Sequence, residues 1–272
     1  MNFNTSLPDD TVNVSKQSPL LDLLWMSGGL FIGITLLYFT FGLAVEYGVK
    51  SISTEREIKL FSFLQSEHNS TEAASAELLT LRTLLNESET CRQSPYDFVV
   101  NIVEDETVNA FALPGGTIIF NRGLLKNVHS ENELFFVLAH EIGHYKNRDH
   151  LEGIGRALTA TFIGNMLGVS DISDILNSAM ALSESHFSQT QESEADIYAV
   201  ELMQCYYGHV SGATDFFTHL PENDSFSLYS SHPEMKERTQ NIERHIKKNG
   251  YTADKDLRPL QTSSPSSMIK PQ

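Results

Sequence analysis

The sequence has little cysteine and little positive charge. Its 272 residues include two cysteines, Cys91 and Cys205, whose spacing matches neither a zinc site nor a thioredoxin motif. The residues alone leave open whether these form one disulfide or two free thiols. Nineteen Lys and Arg stand against 35 Asp and Glu, so the formal net charge is -16. A nucleic-acid-binding protein needs a basic face, and we therefore expect no nucleic-acid partner.

Long charge-free runs are also absent, with one exception at residues 23–45. A run of this length is enough to cross a bilayer, and Trp25 and Tyr47 lie near its ends as aromatic anchors. A cleaved signal peptide fits less well, because the preceding residues are not basic and no A-x-A-like site follows. We predict a transmembrane helix at residues 20–47, in contact with membrane lipid, after a disordered tail at residues 1–19.

Charge gives only a weak indication of the membrane side. Lys16 precedes the span, whereas Lys50, Arg56 and Lys59 follow it. The positive-inside rule weakly places the large C-terminal part in the cytoplasm. Four charges do not fix the side of the membrane on which the active site lies.

Residues 48–93 are expected to form membrane-proximal helices. Apolar clusters at residues 58–64 and 78–85 are separated by a polar break near His68. The two clusters pack either on the core of the domain that follows or, through residues 51–93, on a membrane-protein partner.

The most informative motif is H-E-x-x-H at residues 140–144. An α-helix has about 3.6 residues per turn, so His140 and His144 project from the same face and can both bind Zn²⁺. Glu141 flanks that face without being a ligand. It can take the proton from a water molecule on the metal and act as the general base.

The helix that carries this motif is predicted to be buried. Ser130 and Glu133 form a capping box, which predicts that the helix begins at Glu131. Residues 134–139 are apolar on every side of the helix, as in a buried helix rather than a surface one. Buried histidine and glutamate side chains are costly unless they are paired or bind metal.

Short strands are predicted before this helix. Residues 97–103 are β-branched and apolar, and residues 109–120 contain two strands joined through a turn at residues 114–116. Residues 151–186 are expected to pack as helices, with a flexible connection near residues 168–173.

A second long helix is predicted at about residues 183–206, with Gly208 as its C-cap. Glu192 and Asp196 are four residues apart and share one face of this helix. The small side chain of Ala195 lies beside that face, so another helix can approach closely.

The residues alone leave two candidates for the third metal ligand. His150 follows His144 at the spacing of the third histidine of metzincins, with Asn147 in place of the usual glycine. However, a helix that continued to His150 would rotate its side chain by about 600°, away from the metal face. A metal site with His150 also gives no role to Glu192 and Asp196, which share a face of the second helix, so we favour Glu192 as the third ligand.

Four motifs occur in a fixed order along residues 95–250. They are Asn109-Ala110-Phe111-Ala112 with Pro114-Gly115-Gly116, then His140 to His144, then Glu192-x-x-Ala195-Asp196, then His232-Pro233 with Arg238. In combination they resemble the gluzincin membrane metallopeptidases of family forty-eight. That family includes the CAAX prenyl endopeptidases, the heat-shock protease HtpX and the periplasmic beta-barrel-assembly-enhancing protease.

The resemblance implies a role for each matching residue. Glu192 would be the third zinc ligand, and Asp196 would hydrogen-bond a ligand histidine. The strand Asn109–Ala112 would pair with an extended substrate. His232 and Arg238 would lie near the metal and stabilise the tetrahedral intermediate, or His232 would occupy the open zinc position at rest.

One departure from the family pattern is Ser188-Gln189, where members commonly have Ser-Arg, and a supporting ion pair of the family would then be absent. The expected fold class is α+β: a mainly helical zincin metallopeptidase domain with a small antiparallel sheet at residues 94–250. One transmembrane helix precedes this domain, and a disordered tail at residues 251–272 follows it.

The expected function is that of a membrane-anchored zinc metalloendopeptidase with one Zn²⁺ per chain. It would act on protein or peptide substrates in quality control of membrane or misfolded proteins. We expect a single-pass protein of a bacterial inner membrane. The alternative is a membrane-anchored chaperone or assembly factor whose protease activity is latent.

Overall fold

A computed structural model describes residues 18–67, 75–152, 155, 159, 164, 187–219 and 235–260. Its internal contacts divide the chain into two units, Met1–Ala44 and Val45–Gln272, which are described separately. The described residues are mainly helical and include one three-stranded sheet, which confirms the expected α+β class. The connection predicted near residues 168–173 lies outside them.

The first unit contains most of one long helix, α1, at Pro19–Lys50. Its segment Pro19–Val45 is long and apolar enough to cross a membrane. None of its most apolar window is buried within the protein, and Trp25 is 76% exposed. The helix is therefore not a core helix, and its uncovered apolar surface needs a different apolar environment.

Three helices follow at Thr54–Glu67 (α2), Ala76–Glu87 (α3) and Glu89–Arg92 (α4). The side chain of Ser75 caps α3 by accepting a backbone hydrogen bond of 3.3 Å. The core of the second unit includes three buried leucines of α3, namely Leu81, Leu84 and Leu85. Packing on the domain core, one of the two alternatives for residues 48–93, therefore applies to α3.

The sheet contains β1 at Val99–Val103, β2 at Ala110–Leu113 and β3 at Thr117–Asn121, in the order β1-β3-β2. Strands β2 and β3 are antiparallel, whereas β1 and β3 are parallel. The sheet is thus mixed rather than antiparallel as expected, because the β2–β3 hairpin turns the chain back along the direction of β1. Gly115 and Gly116 in the turn have φ of 81° and 98°, which glycine adopts without a steric penalty.

The helix with the H-E-x-x-H motif follows the short helix α5 at Arg122–Asn127. It is α6, at Glu131–Asn147, and it begins at the predicted residue. The hydroxyl of Ser130 accepts the backbone N–H of the third helical residue at 3.1 Å. α6 is buried along most of its length, and its C-cap residue, Arg148, has a φ of 64°.

Three further helices lie wholly within the described residues: α7 at Gln189–Tyr207, α8 at Asp215–His219 and α9 at Met235–Asn249. α7 ends at the predicted C-cap but begins later than expected. The reason is a capping box at its start, in which Ser188 and Gln191 exchange hydrogen bonds with each other's backbone.

Small residues let α6 and α7 pack closely, as their sequences predicted. A Cβ atom added to Gly143 would lie 2.9 Å from the Cα of Ala195. A disulfide between Cys91 and Cys205 joins α4 to α7, which answers the question that the cysteine spacing left open.

The residues after α9 differ from the disordered tail expected at residues 251–272. Thr252 and Lys255 bond to residues just after α7, and the carbonyl of Arg258 accepts the N–H of Glu131 at the start of α6 at 2.9 Å. The guanidinium of Arg258 also lies 4.8 Å from the ring centroid of Tyr207. Residues 261–272 lie outside the described part of the chain.

Candidate metal centre

Three side chains from α6 and α7 meet where these helices cross. Nitrogen atoms of His140 and His144 and an oxygen of Glu192 all lie within 4.8 Å of one another. The two Nε2 atoms are 3.1 Å apart, and each is 3.6 Å from a carboxylate oxygen of Glu192. All three side chains are buried. We call this group the metal cluster.

The other nitrogen of each ring contacts a second carboxylate. Nδ1 of His140 is 3.0 Å from Asp196, and Nδ1 of His144 is 2.9 Å from Asp149. These contacts assign the ring proton to Nδ1, because an ionised carboxylate only accepts hydrogen bonds. Each Nε2 therefore directs a lone pair towards the other and towards Glu192.

The donor set of the metal cluster fits a divalent cation. Two imidazole Nε2 atoms and a carboxylate converge here, an arrangement that a positive charge among them would stabilise. Two imidazole nitrogens and one carboxylate oxygen also match the ligand types of a catalytic zinc site. Burial lowers the pKa of His140 to about 4, which keeps the ring neutral and able to bind metal at pH 7.

Asp149 was not identified from the sequence. It follows directly after the turn that ends α6, and no spacing rule pairs it with His144. Its other oxygen accepts a 3.0 Å hydrogen bond from the side chain of Gln191, which is anchored at the start of α7. The polar residues that follow the motif were the available signal, since the histidines of metal sites usually donate their second N–H to a carboxylate.

Arg238 of α9 forms ion pairs with two carboxylates of the site. It donates to Asp196 at 2.8 and 2.6 Å and pairs with Glu192 at 2.7 Å. Burial would raise the pKa of Asp196, but the charge of Arg238 outweighs it and holds that pKa to about 2. Arg238 thus contacts both carboxylates, and its expected role in stabilising the tetrahedral intermediate stays a prediction.

Glu141 is buried next to His140 at a small apolar cavity of about 20 Å³. The cavity is also lined by Phe136, Val137, Phe216, Phe217 and Arg238. A larger cleft of about 690 Å³ is bounded in part by Cys91, Tyr145 and Tyr198, and none of the metal-cluster side chains lines it. The larger cleft is therefore not the candidate active site.

The other predicted site residues have different outcomes. His150, the alternative third ligand, does not join the metal cluster, because its Nε2 contacts Glu57 at 2.8 Å. Residues Ala110, Phe111 and Ala112 belong to β2, an edge strand of the described sheet, and Asn109 is buried just before it. His232 lies outside the described residues.

Comparison with known proteins agrees with this geometry. The profile of peptidase family M48 matches residues 79–246. The metalloprotease LoiP of Escherichia coli is 32% identical over 57% of this chain and 65% of its own length. The mitochondrial metalloendopeptidase OMA1 of Arabidopsis thaliana is 35% identical over 38% of this chain and 22% of its own length.

A third relative is named a putative beta-barrel assembly-enhancing protease, from Vibrio cholerae. It is 29% identical over 53% of this chain and 31% of its own length. The chain thus spans less than two thirds of each of these three relatives.

Proposed function

This chain belongs to peptidase family M48, and we propose that it is a membrane-anchored, zinc-dependent endopeptidase. The observation that carries the proposal is the convergence of His140, His144 and Glu192, whose potential ligand atoms all lie within 4.8 Å of one another. Zinc is the metal of choice because neutral imidazole and carboxylate are its usual ligands in hydrolytic sites.

The catalytic roles follow from the positions of the side chains. A bound zinc ion would supply a Lewis acid that lowers the pKa of a water molecule and polarises the peptide carbonyl. Glu141 takes the proton of the attacking water and passes it to the leaving amine. Asp196 and Asp149 hold the two rings with Nε2 directed at the metal, and Arg238 holds Glu192.

The proposed substrate is an extended segment of a membrane or misfolded protein. Strand β2 lies at the edge of the sheet, where a peptide backbone can add as a further strand. Relatives named for beta-barrel assembly support membrane proteins as a substrate class. His232 is proposed to approach the metal, either to stabilise the intermediate or to gate the site.

The proposed location is a membrane, through α1 as a single anchor. The disulfide between Cys91 and Cys205 supports an oxidising compartment for the second unit, since reducing cytosol keeps thiols free. We therefore place the peptidase domain outside the cytoplasm of a bacterial cell, against the weak indication of Lys50, Arg56 and Lys59. Added protease should degrade the domain in spheroplasts without lysis, whereas protection until lysis would contradict this placement.

A cleavage assay tests the proposal. Purified full-length protein in detergent should cleave unfolded casein, lose that activity with a chelator and regain it with zinc. The matched control is Glu141→Gln, which retains zinc but lowers the rate by about 10²–10⁴-fold, the usual contribution of a general base. The chaperone alternative replaces the peptidase under one outcome. In that outcome zinc-loaded wild type and Glu141→Gln both prevent protein aggregation, and neither cleaves casein.

A further inference from the structure

Glu57 of α2 is a fully buried carboxylate that belongs to no recognised motif. Its Oε1 accepts from His150 at 2.8 Å and from the backbone N–H of Gly115 at 3.1 Å. Its Oε2 accepts from the hydroxyl of Tyr96 at 2.7 Å and from Arg148 at 3.4 Å. We call these five residues the Glu57 cluster. Such full coordination offsets the cost of burying a charge.

The Glu57 cluster holds the turn that ends β2. Gly115 lies in the β2–β3 turn, and a Cβ atom added to it would be 3.0 Å from the side chain of Phe61 on α2. From the other side, the hydroxyl of Tyr145 on α6 donates to the carbonyls of Leu113 and Thr117. The end of the edge strand is therefore fixed between α2 and α6.

The same cluster holds the C-terminal end of α6. The ring of His150 packs against Tyr145 at a centroid distance of 4.3 Å, and its Nδ1 is 3.4 Å from the carbonyl of His144. Arg148 also donates to the carbonyl of Ile52 at 2.7 Å, just before α2. One carboxylate thus links three parts of the second unit. These are the residues just before α2, the end of strand β2, and the end of α6, the helix that carries the metal cluster.

We propose that Glu57 is a positioning residue for substrate binding, which fixes strand β2 in register beside α6, the helix that carries the metal cluster. The inference rests on the proposed function, because it takes β2 as the strand that pairs with substrate. It makes α2 a working part of the peptidase rather than a spacer between membrane and domain. Loss of Glu57 weakens binding of peptides that pair with β2 and spares ligands that contact only the metal.

The test uses full-length, zinc-loaded protein in detergent with the Glu141→Gln change, so that binding is measured without cleavage. One probe is a fluorescent extended decapeptide, and the other is a dipeptide hydroxamate that reaches the metal but not β2. Glu57→Ala should raise the Kd of the decapeptide about 10-fold, and Glu57→Gln about 3-fold, since a charged acceptor makes the stronger hydrogen bonds. The Kd of the hydroxamate should stay unchanged in both.

The matched control is Glu55→Gln, an exposed acidic residue on the same helix, which should leave both Kd values unchanged. Equal weakening of both probes, or a wild-type Kd for the decapeptide, would overturn the inference. If Glu57→Ala fails to fold, Glu57→Gln decides the question alone. Casein cleavage by the wild type is read separately, so the proposed function stands or fails on its own result.

Discussion

The metal cluster and the Glu57 cluster are two buried groups near the C-terminal half of α6 that share two residue types. Each contains a fully buried glutamate and at least one buried histidine. In the metal cluster, Nε2 atoms and carboxylate oxygens face one another as acceptors. In the Glu57 cluster, an O–H, a backbone N–H, an imidazole and a guanidinium all donate to one carboxylate.

The balance of donors and acceptors explains why one group is suited to binding a cation and the other is not. The Asp149 and Asp196 contacts occupy the Nδ1–H groups of His144 and His140, so both rings face Glu192 with Nε2, and Glu192 pairs with Arg238 instead. Glu57, in contrast, receives a hydrogen bond from a histidine, because the Nε2 of His150 is directed at its carboxylate. Residue type and burial alone therefore do not identify a metal site.

The largest effect is expected from placing a donor in the metal cluster. Glu192→Gln introduces an amide N–H that can donate to an imidazole Nε2, which makes the group resemble the Glu57 cluster. Zinc affinity, measured by competition with a chelating dye, should fall by more than the roughly 100-fold upper range for losing an outer partner. Zinc affinity within a few-fold of wild type would contradict the assignment of Glu192 as a metal ligand.

The two ring-orienting carboxylates should have intermediate effects. Asp149→Asn and Asp196→Asn should each lower zinc affinity about 10–100-fold, because the ring loses its preferred tautomer and orientation. Asp196→Asn should lower zinc affinity more than Asp149→Asn, because it also removes the negative charge that pairs with buried Arg238. The same zinc competition measures both, and unchanged affinity in Asp149→Asn would remove Asp149 from the site.

A smaller change is expected from removing one donor of the Glu57 cluster. Tyr96→Phe should lower the free energy of unfolding by about 1–3 kcal/mol and leave zinc affinity unchanged. Tyr251→Phe is the matched control, because its hydroxyl donates to Glu201 at the surface, and it should cost less. Denaturant titration gives both values. A loss of zinc in Tyr96→Phe would mean that the two clusters are not independent.

The smallest effect on catalysis is expected from removing residues 1–47. Both clusters are formed by residues after this segment, so casein cleavage should remain at the wild-type rate while the protein becomes soluble. Removal of residues 1–74 also deletes α2 and Glu57. This longer deletion should lower the rate of casein cleavage. If the shorter deletion still sediments with membranes, α1 is not the single anchor.

The sequence predicted features that depend on spacing within one element. The start of α6, the hairpin strands and the shared face of Glu192 and Asp196 all follow from helix and turn periodicity. The parallel pairing of β1, the Asp149 contact and the Glu57 cluster do not, because they depend on how separate elements pack. Glu57 contacts residues 39 and 93 positions away, a separation over which no local pattern operates.

The most direct test of the account is the zinc content of purified chains, measured by mass spectrometry of the metal. Wild type and His150→Ala should each contain one zinc per chain, and Glu192→Ala should contain almost none. His150→Ala is the informative control, because it removes a buried histidine that follows the same motif but belongs to the Glu57 cluster. Zinc retained by Glu192→Ala and lost by His150→Ala would contradict the assignment of the metal cluster.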